Sequence, residues 1–210
     1  MIRIHPNKYI LIHIPKNAGT SIRENADGRL IHAIQKQNVT KTVTPDHLNF
    51  MVHHCPATYL HRQLKSHPKV AVIRNPWSRL VSLYEHADHL REHGVGDYFQ
   101  REKISWDEFI DRIDSYIQTS VFYYNHPYDH FASQSDWLTP EVKLLRYEHL
   151  SEDYEKLFKT PLTTIANKGV YKEHYTCYYS KNQIEKVREW FRYDIYKFGW
   201  DFETTARNIR

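Results

Sequence analysis

The 210-residue chain contains little cysteine and no long apolar run. Its two cysteines, Cys55 and Cys177, are too few for the disulfide framework of a small secreted domain, and neither lies in a zinc-site spacing. The apolar stretch at residues 8–14 has the length of a strand and is interrupted by His13. It is far shorter than the roughly 20 apolar residues of a membrane helix and shows no signal-peptide pattern. These absences predict a soluble cytoplasmic protein with reduced thiols.

Glycine is also scarce, with 6 residues beside 9 prolines, which argues against long flexible linkers. The length supports one ample α/β core and not comfortably two, so we expect a single domain over residues 1–210. The formal net charge of +4 suits an anionic ligand. A charge this small is weak evidence for nucleic-acid binding, and no nucleic-acid partner is expected.

A strand followed by a phosphate-type loop is predicted near the start of the chain. Residues 8–14 are rich in isoleucine, as is typical of a central strand buried on both faces, and a helix is expected from Gly19 or Thr20. Lys16 supplies a positive charge, Gly19 allows close backbone approach, and Thr20 and Ser21 add hydroxyl donors beside the helix N-terminus. The lysine precedes the glycine by three residues, so the nucleotide signature GxxxxGK[ST] is absent. A plain strand-to-helix turn with a solvated lysine remains the alternative.

A second strand and turn follow at residues 70–73. Arg74 stands at the strand's end, Pro76 takes a first helical position, and Ser82 lies in the helix. The apolar positions of this helix leave three polar residues on its other side, facing solvent or a ligand: Ser78, Arg79 and Ser82. Arg74 offers a planar fork of donors for a phosphate, although a surface Arg and Ser would give the same pattern. Together, the two turns predict a ligand with phosphate-like groups at two separated positions.

The rest of the chain continues to alternate strands and helices. Residues 142–146 predict a third buried strand, and Ser105 with Glu108 and Ser180 with Gln183 form capping-box patterns that predict two helices. The alternation predicts an α/β fold, with a central parallel sheet flanked by helices on both faces.

The segments IPKNAGTS (residues 14–21) and IRNPWSRLVSLY (residues 73–84) resemble the sulfotransferases that use 3′-phosphoadenosine-5′-phosphosulfate (PAPS). The resemblance is closest to the carbohydrate or Golgi-type branch, such as uronyl 2-O-sulfotransferase-like proteins. LLRYEHL (residues 144–150) and YDIYKFGWDF (residues 193–202) are similar to further segments of that family. The resemblance implies a single α/β sulfotransferase domain with a P-loop-like phosphosulfate-binding turn.

The same resemblance implies an enzyme that moves a sulfuryl group from PAPS to an acceptor hydroxyl on a carbohydrate. The product of the donor would be adenosine 3′,5′-bisphosphate (PAP), and the partner would be a glycan or another hydroxyl-bearing molecule. The small size suggests a stand-alone bacterial or viral enzyme of the cytoplasm, and a luminal catalytic fragment of a Golgi-type enzyme is the alternative.

The resemblance implies roles for the residues that match the family's motifs. The 5′-phosphosulfate would be held by the first loop, namely Lys16, Asn17, Ala18, Gly19, Thr20 and Ser21. Arg74 and Ser82 would hold the 3′-phosphate, and Tyr147 would lie near the adenine. Lys168 and Lys172 stand where the family has a basic loop that closes over the cofactor, and they are weaker candidates.

In-line transfer at sulfur mainly requires positioning and charge stabilisation. Lys16 would neutralise charge on the leaving phosphate, and no metal is expected. The acceptor hydroxyl needs a base, and histidine titrates near neutral pH. By similarity to the family's histidine-bearing segment, His54 is the first candidate and His53 the second. Other branches use a glutamate in this region, and none occurs between residues 35 and 83.

Two other functions stay open at this point. A small-molecule kinase would share the sheet and the phosphate loop, but the sequence lacks a clear Walker lysine and clear magnesium ligands. An RNA-binding module would suit the pI of about 8.9 and the 14% aromatic content, but the basic residues are dispersed among acidic ones. The sequence gives no indication of an oligomeric state.

Overall fold

Four parallel strands form the sheet of this chain. The computed structural model describes residues 9–25, 30–32, 56–60, 65–92, 104–119, 130–165 and 173–203. The strands are β1 (Tyr9–Ile12), β2 (Leu30–His32), β3 (Lys69–Ile73) and β4 (Val142–Arg146). Their order is β2-β1-β3-β4, and each neighbouring pair is parallel. The predicted α/β fold with a central parallel sheet is confirmed.

The described residues contain six α-helices and four short 3₁₀ turns. The helices are α1 (Gly19–Asn25), α2 (Pro76–Glu92), α3 (Trp106–Thr119), α4 (Leu150–Phe158), α5 (Lys181–Trp190) and α6 (Arg192–Phe198). The 3₁₀ turns are Ala57–Tyr59, Gln134–Trp137, Tyr147–His149 and Tyr175–Tyr178. No helix in these ranges has both the length and the apolar composition to cross a bilayer.

Several helix starts agree with the sequence patterns. Pro76 is the first residue of α2, and Ser180 with Gln183 forms the complete capping box of α5. At α3, the hydroxyl of Ser105 accepts a hydrogen bond of 3.2 Å from the backbone N–H of Glu108. Strand β2 has no sequence prediction, because three residues are too few to show a strand period.

The described residues fall into two compact units. The first lies within Met1–Ile73 and Gln134–Asn167, and the second lies within Arg74–Ser133 and Lys168–Arg210. The sequence-based expectation of one domain over residues 1–210 stays a prediction.

In the first unit, two helices pack on one face of the sheet and form the hydrophobic core with it. One face of the sheet contributes Leu11, Val70, Val72 and Leu145, which pack with Ile22 of α1 and with Leu150, Tyr154 and Phe158 of α4. The other face of β1 and β3 is buried as well, through Ile10, Ile12, Ala71 and Ile73. Burying each valine, leucine or isoleucine side chain contributes about 1.5–3 kcal/mol, so the two central strands are strongly fixed. Their carboxyl ends are therefore a rigid base for the loops that follow.

The second unit has an aromatic core around α2 and α3. Trp77, Leu80 and Val81 of α2 are buried, as are Phe109 and Ile113 of α3. The indole N–H of Trp77 donates a 3.1 Å hydrogen bond to the carbonyl of Ile184 in α5. This packing confirms the apolar face that helical spacing predicts for α2.

Candidate functional site

The first loop, residues 13–18 between β1 and α1, has an unusual backbone. Lys16 has φ 66° and Ala18 has φ 56°, so two non-glycine residues adopt the left-handed region, and the intervening Asn17 does not. A residue in the left-handed region next to one in the right-handed helical region can turn successive N–H groups toward one concave side, which is the arrangement of an anion nest. Each residue in this region costs about 1–3 kcal/mol and persists only where the surroundings impose it. Strained residues of this kind cluster at binding and active sites, so the loop is a candidate for ligand binding.

Asn17 fixes this loop to the sheet. Its side chain is 1% exposed, and its Nδ2 donates to the carbonyl of Val72 at 2.8 Å and to Oε1 of Gln134 at 2.6 Å. The loop is thereby joined to β3 and to the 3₁₀ turn Gln134–Trp137. The Asn17 carboxamide is therefore turned inward, toward β3 and the 3₁₀ turn. Sequence reasoning missed Gln134, which is fully buried and lies 117 residues from Asn17.

The six residues expected at the 5′-phosphosulfate lie together in this turn and the start of α1, with different exposure. Lys16, Ala18 and Thr20 are partly exposed, so a charge, a backbone and a hydroxyl lie at the surface of the turn. Gly19 is buried, and Ser21 is fully buried with its backbone carbonyl accepting from Asn25 at 2.7 Å. Thr20 is therefore the better placed of the two hydroxyl residues.

In the second unit, Arg74 is held in a fixed orientation. It is 3% exposed, and its Nε donates to the hydroxyl of Ser78 at 2.9 Å. The neighbouring Asn75 caps the N-terminus of α2, with its Oδ1 accepting from the backbone N–H of Trp77 at 3.0 Å. Its Nδ2 donates to the carbonyl of Asp201 at 3.0 Å. Arg74, which directly follows β3, is therefore preorganised by Ser78 of α2.

The expectation that Ser78, Arg79 and Ser82 face solvent or a ligand is correct only in part. Ser82 is partly exposed, but Ser78 and Arg79 are buried, and Arg79 donates through Nη1 to the carbonyl of Ala132 at 2.9 Å. The physical reason is that residues 76–81 of α2 are all buried, so its first turns have no solvent face. A helical wheel assumes one covered side, and that assumption fails here.

Two tyrosines that sequence reasoning missed lie beside these α2 residues. Tyr179 donates to the carbonyl of Trp77 at 2.8 Å, and burial raises the pKa of Tyr179 well above its ordinary value, while the charge of Arg74 opposes that rise. Tyr178 donates to Oε1 of Glu85 at 2.7 Å, and burial together with the Glu85 carboxylate raises the pKa of its phenol. Both phenols are neutral donors near Arg74 or Glu85. The available signal was the tyrosine pair directly before the Ser180 capping box.

The remaining candidates differ in what the structure describes. Tyr147 is partly buried, begins the 3₁₀ turn after β4, and packs against the hydrophobic cluster of the first unit. His53, His54, Lys168 and Lys172 lie outside the described residues. Among the residues described, no group of three or more His, Cys, Asp or Glu side chains is arranged to hold a metal ion.

Comparison with known proteins places this geometry in a family. The model described as the Sulfotransferase family matches residues 1–181, which include β1 to β4, the first loop and Arg74. A search of curated protein sequences gave no significant match. The family match covers most of the chain and agrees with the parallel sheet and with the loop after β1. The chain therefore belongs to the sulfotransferase family of PAPS-dependent enzymes.

Proposed function

We propose that this enzyme transfers a sulfuryl group from PAPS to a hydroxyl of a carbohydrate acceptor and releases PAP. The observation that carries the proposal is the first loop, in which Lys16 and Ala18 have positive φ at the carboxyl end of a central parallel strand. Ligands of open α/β sheets bind outside the carboxyl ends of the strands, so this loop has the expected location.

The first loop suits the 5′-phosphosulfate of the donor. Its alternating backbone supports a concave set of N–H donors, which matches the several oxygens of a phosphate or sulfate group. The partly exposed Lys16 supplies the positive charge, and the partly exposed Thr20 supplies a hydroxyl donor. Asn17 and Ala18 contribute through their backbones, while Gly19 and Ser21 are buried and support the start of α1.

Strand order supports the rest of the donor site. Strands β1, β3 and β4 are adjacent and parallel, so their carboxyl ends lie at one edge of the sheet. In the chain, Arg74 directly follows β3 and Tyr147 directly follows β4. We assign Arg74 and Ser82 to the 3′-phosphate and Tyr147 to the neighbourhood of the adenine. Arg74 is suited to this role because Ser78 already fixes its Nε, which leaves less side-chain entropy to lose on binding.

In the proposed transfer, different residues of this chain have different roles. PAPS supplies the sulfuryl group and a phosphate leaving group. Lys16 offsets the negative charge that grows on the leaving oxygen, and Thr20 with the loop amides holds the neighbouring oxygens. His54, with His53 as the alternative, takes the proton of the acceptor hydroxyl as general base.

Calorimetric titration tests the donor assignment. The chain is titrated with PAP, ATP and AMP in the absence of magnesium. Binding of PAP alone is the expected result. Equal binding of ATP would contradict the assignment and favour a kinase.

Incubation with labelled PAPS and a panel of acceptors tests the carbohydrate assignment. The panel contains oligosaccharides, phenols and simple alcohols of similar solubility. Transfer to oligosaccharides is expected, and transfer restricted to phenols would show that the acceptor class is wrong.

A further inference from the structure

The imidazole of His13 packs directly on the backbone of Gly19. A Cβ built on Gly19 would lie 2.7 Å from Cγ of His13 and closer still to Cδ2 and Nε2, so it would overlap the ring. Ordinary contacts of a Cβ fall at 3.4–4 Å, and the three nearest atoms all belong to this one side chain. His13 is half-buried and directly follows β1, while Gly19 is the first residue of α1.

This contact explains why position 19 is a glycine, and the explanation differs from the usual one for a phosphate loop. Glycine in a phosphate loop commonly supplies a positive φ or lets the backbone approach the ligand. Gly199 is the glycine with positive φ among the described residues, so Gly19 is not required for its conformational freedom. The space beside its Cα is filled by the His13 ring. The missing side chain at position 19 therefore makes room for the imidazole.

The contact joins the two ends of the first loop. His13 begins the loop and Gly19 follows its last residue, and the two positive-φ residues lie between them. A strained loop keeps its shape only when several contacts determine it. Asn17 supplies one such contact, through Val72 and Gln134, and the ring of His13 supplies another at the base of the loop.

We propose that His13 is a positioning residue of the first loop: its imidazole, seated on the Cα of Gly19, holds Lys16 and Thr20 in the arrangement that binds the donor. The claim that this arrangement binds the donor rests on the proposed function. The claim that His13 and Gly19 pack together rests on the contact alone, so thermal unfolding can test it.

A double-mutant cycle tests the proposal with Gly19→Ala, His13→Ala and the double variant. Thermal unfolding, PAP affinity and turnover at saturating PAPS are measured for each, and His67→Ala is the matched control. His67 is also half-buried, but it precedes β3 at the opposite edge of the sheet from the loop.

Gly19→Ala is expected to lower Tm by about 2–10 °C, because the new methyl group collides with the ring. It is expected to lower PAP affinity and turnover by about 10-fold to 100-fold, because a displacement near 1 Å is enough for such a loss. His13→Ala is expected to lower turnover by about 10-fold while Tm falls little, and His67→Ala is expected to leave turnover unchanged.

The double variant tests whether the effects of Gly19→Ala and His13→Ala are coupled. Removing the ring frees the space for the methyl group, so the double variant is expected to recover the Tm that Gly19→Ala loses, and its PAP affinity and turnover are expected to equal those of His13→Ala. Losses that simply add would overturn the proposal and assign Gly19 to the ligand. Wild-type turnover and PAP affinity in His13→Ala would also overturn it, because the ring would then pack on Gly19 without positioning the loop.

Two further results separate this proposal from the proposed function. If the wild-type chain fails to bind PAP, the donor assignment is wrong, and the Tm cycle still decides whether His13 and Gly19 are coupled. If Gly19→Ala fails to fold, folding of the double variant supports the proposal, and failure of both overturns it.

Discussion

Replacing Asn17 with alanine removes the carboxamide that joins the first loop to the rest of the first unit. The side chain is 1% exposed, and its Nδ2 donates to the Val72 carbonyl and to Oε1 of Gln134. The substitution leaves two buried acceptors short of a donor, at about 1–3 kcal/mol each. Partial relaxation and water entry reduce the sum, so we expect a loss of about 2–4 kcal/mol in the free energy of unfolding. For a chain of this length, that corresponds to a fall in Tm of about 4–16 °C.

The effect on activity separates this role from simple packing. Because Asn17 lies between the two positive-φ residues, its loss allows Lys16 and Ala18 to relax toward ordinary backbone angles. Turnover well below Tm is therefore expected to fall by about 10-fold to 100-fold. Asn17→Asp is expected to be worse than Asn17→Ala, since a carboxylate would face two acceptor oxygens in a buried position.

Thermal unfolding and turnover of Asn17→Ala, Gln134→Ala and the double variant form the assay. Since the two side chains bond directly, their losses are expected to be non-additive by about 0.5–3 kcal/mol. A change within about 0.5 kcal/mol for Asn17→Ala, with normal turnover, would refute the reasoning, because surface substitutions already produce changes of that size.

Four other predictions concern single residues. Lys16→Ala is expected to lower turnover by about 10²–10³ with Tm unchanged, and Lys143→Ala, at an exposed site, is the control; normal turnover would remove Lys16 from the donor site. Arg74→Ala is expected to weaken PAP binding by about 2–3 kcal/mol in calorimetry, and Arg74→Lys is expected to recover only part, because the planar fork is lost. His54→Ala is expected to lower turnover by about 10²–10⁴ without changing PAP affinity; the same result for His53→Ala instead would identify that residue as the base. Because the pKa of Tyr178 is raised in the folded state, its contribution to stability is complete below its unfolded pKa near 10 and is lost as the pH rises above that value. In Tyr178→Phe, the free energy of unfolding is therefore expected to fall less steeply with pH above about 10 than in the wild type, as measured by denaturant unfolding.

The sheet was predictable because its signals are local. Strands β1 and β3 each carry a short apolar run, and Pro76 and the Ser180 capping box mark helix starts within a few residues. Strand β4 was also predicted, but as a buried strand, whereas Lys143 and Leu144 are exposed in the structure. These patterns depend on backbone period and on terminal hydrogen bonds, which neighbouring residues determine.

The details of the site were not predictable for the opposite reason. The bond between Asn17 and Gln134 joins residues 117 positions apart, and nothing near either residue indicates the other. The positive φ of Lys16 and Ala18 contradicts local preference, since neither is glycine. The burial of Arg79 depends on what covers the second side of α2, which a helical wheel does not contain. In each case the surrounding structure decides against the local preference.

The two proposed cationic contacts are held in different ways, which has a kinetic consequence. Arg74 is 3% exposed and is bonded to Ser78. In the proposed site it is therefore expected to contact the 3′-phosphate equally in the ground state and in the transition state. Such uniform binding changes KM for PAPS and leaves kcat nearly unchanged. Lys16 is partly exposed in the first loop. In the proposed site it is expected to lie beside the leaving group, where charge grows only during transfer. Its loss is therefore expected to lower kcat more than it raises KM. If Arg74→Ala lowered kcat while Lys16→Ala raised only KM, the two phosphate assignments would have to be exchanged.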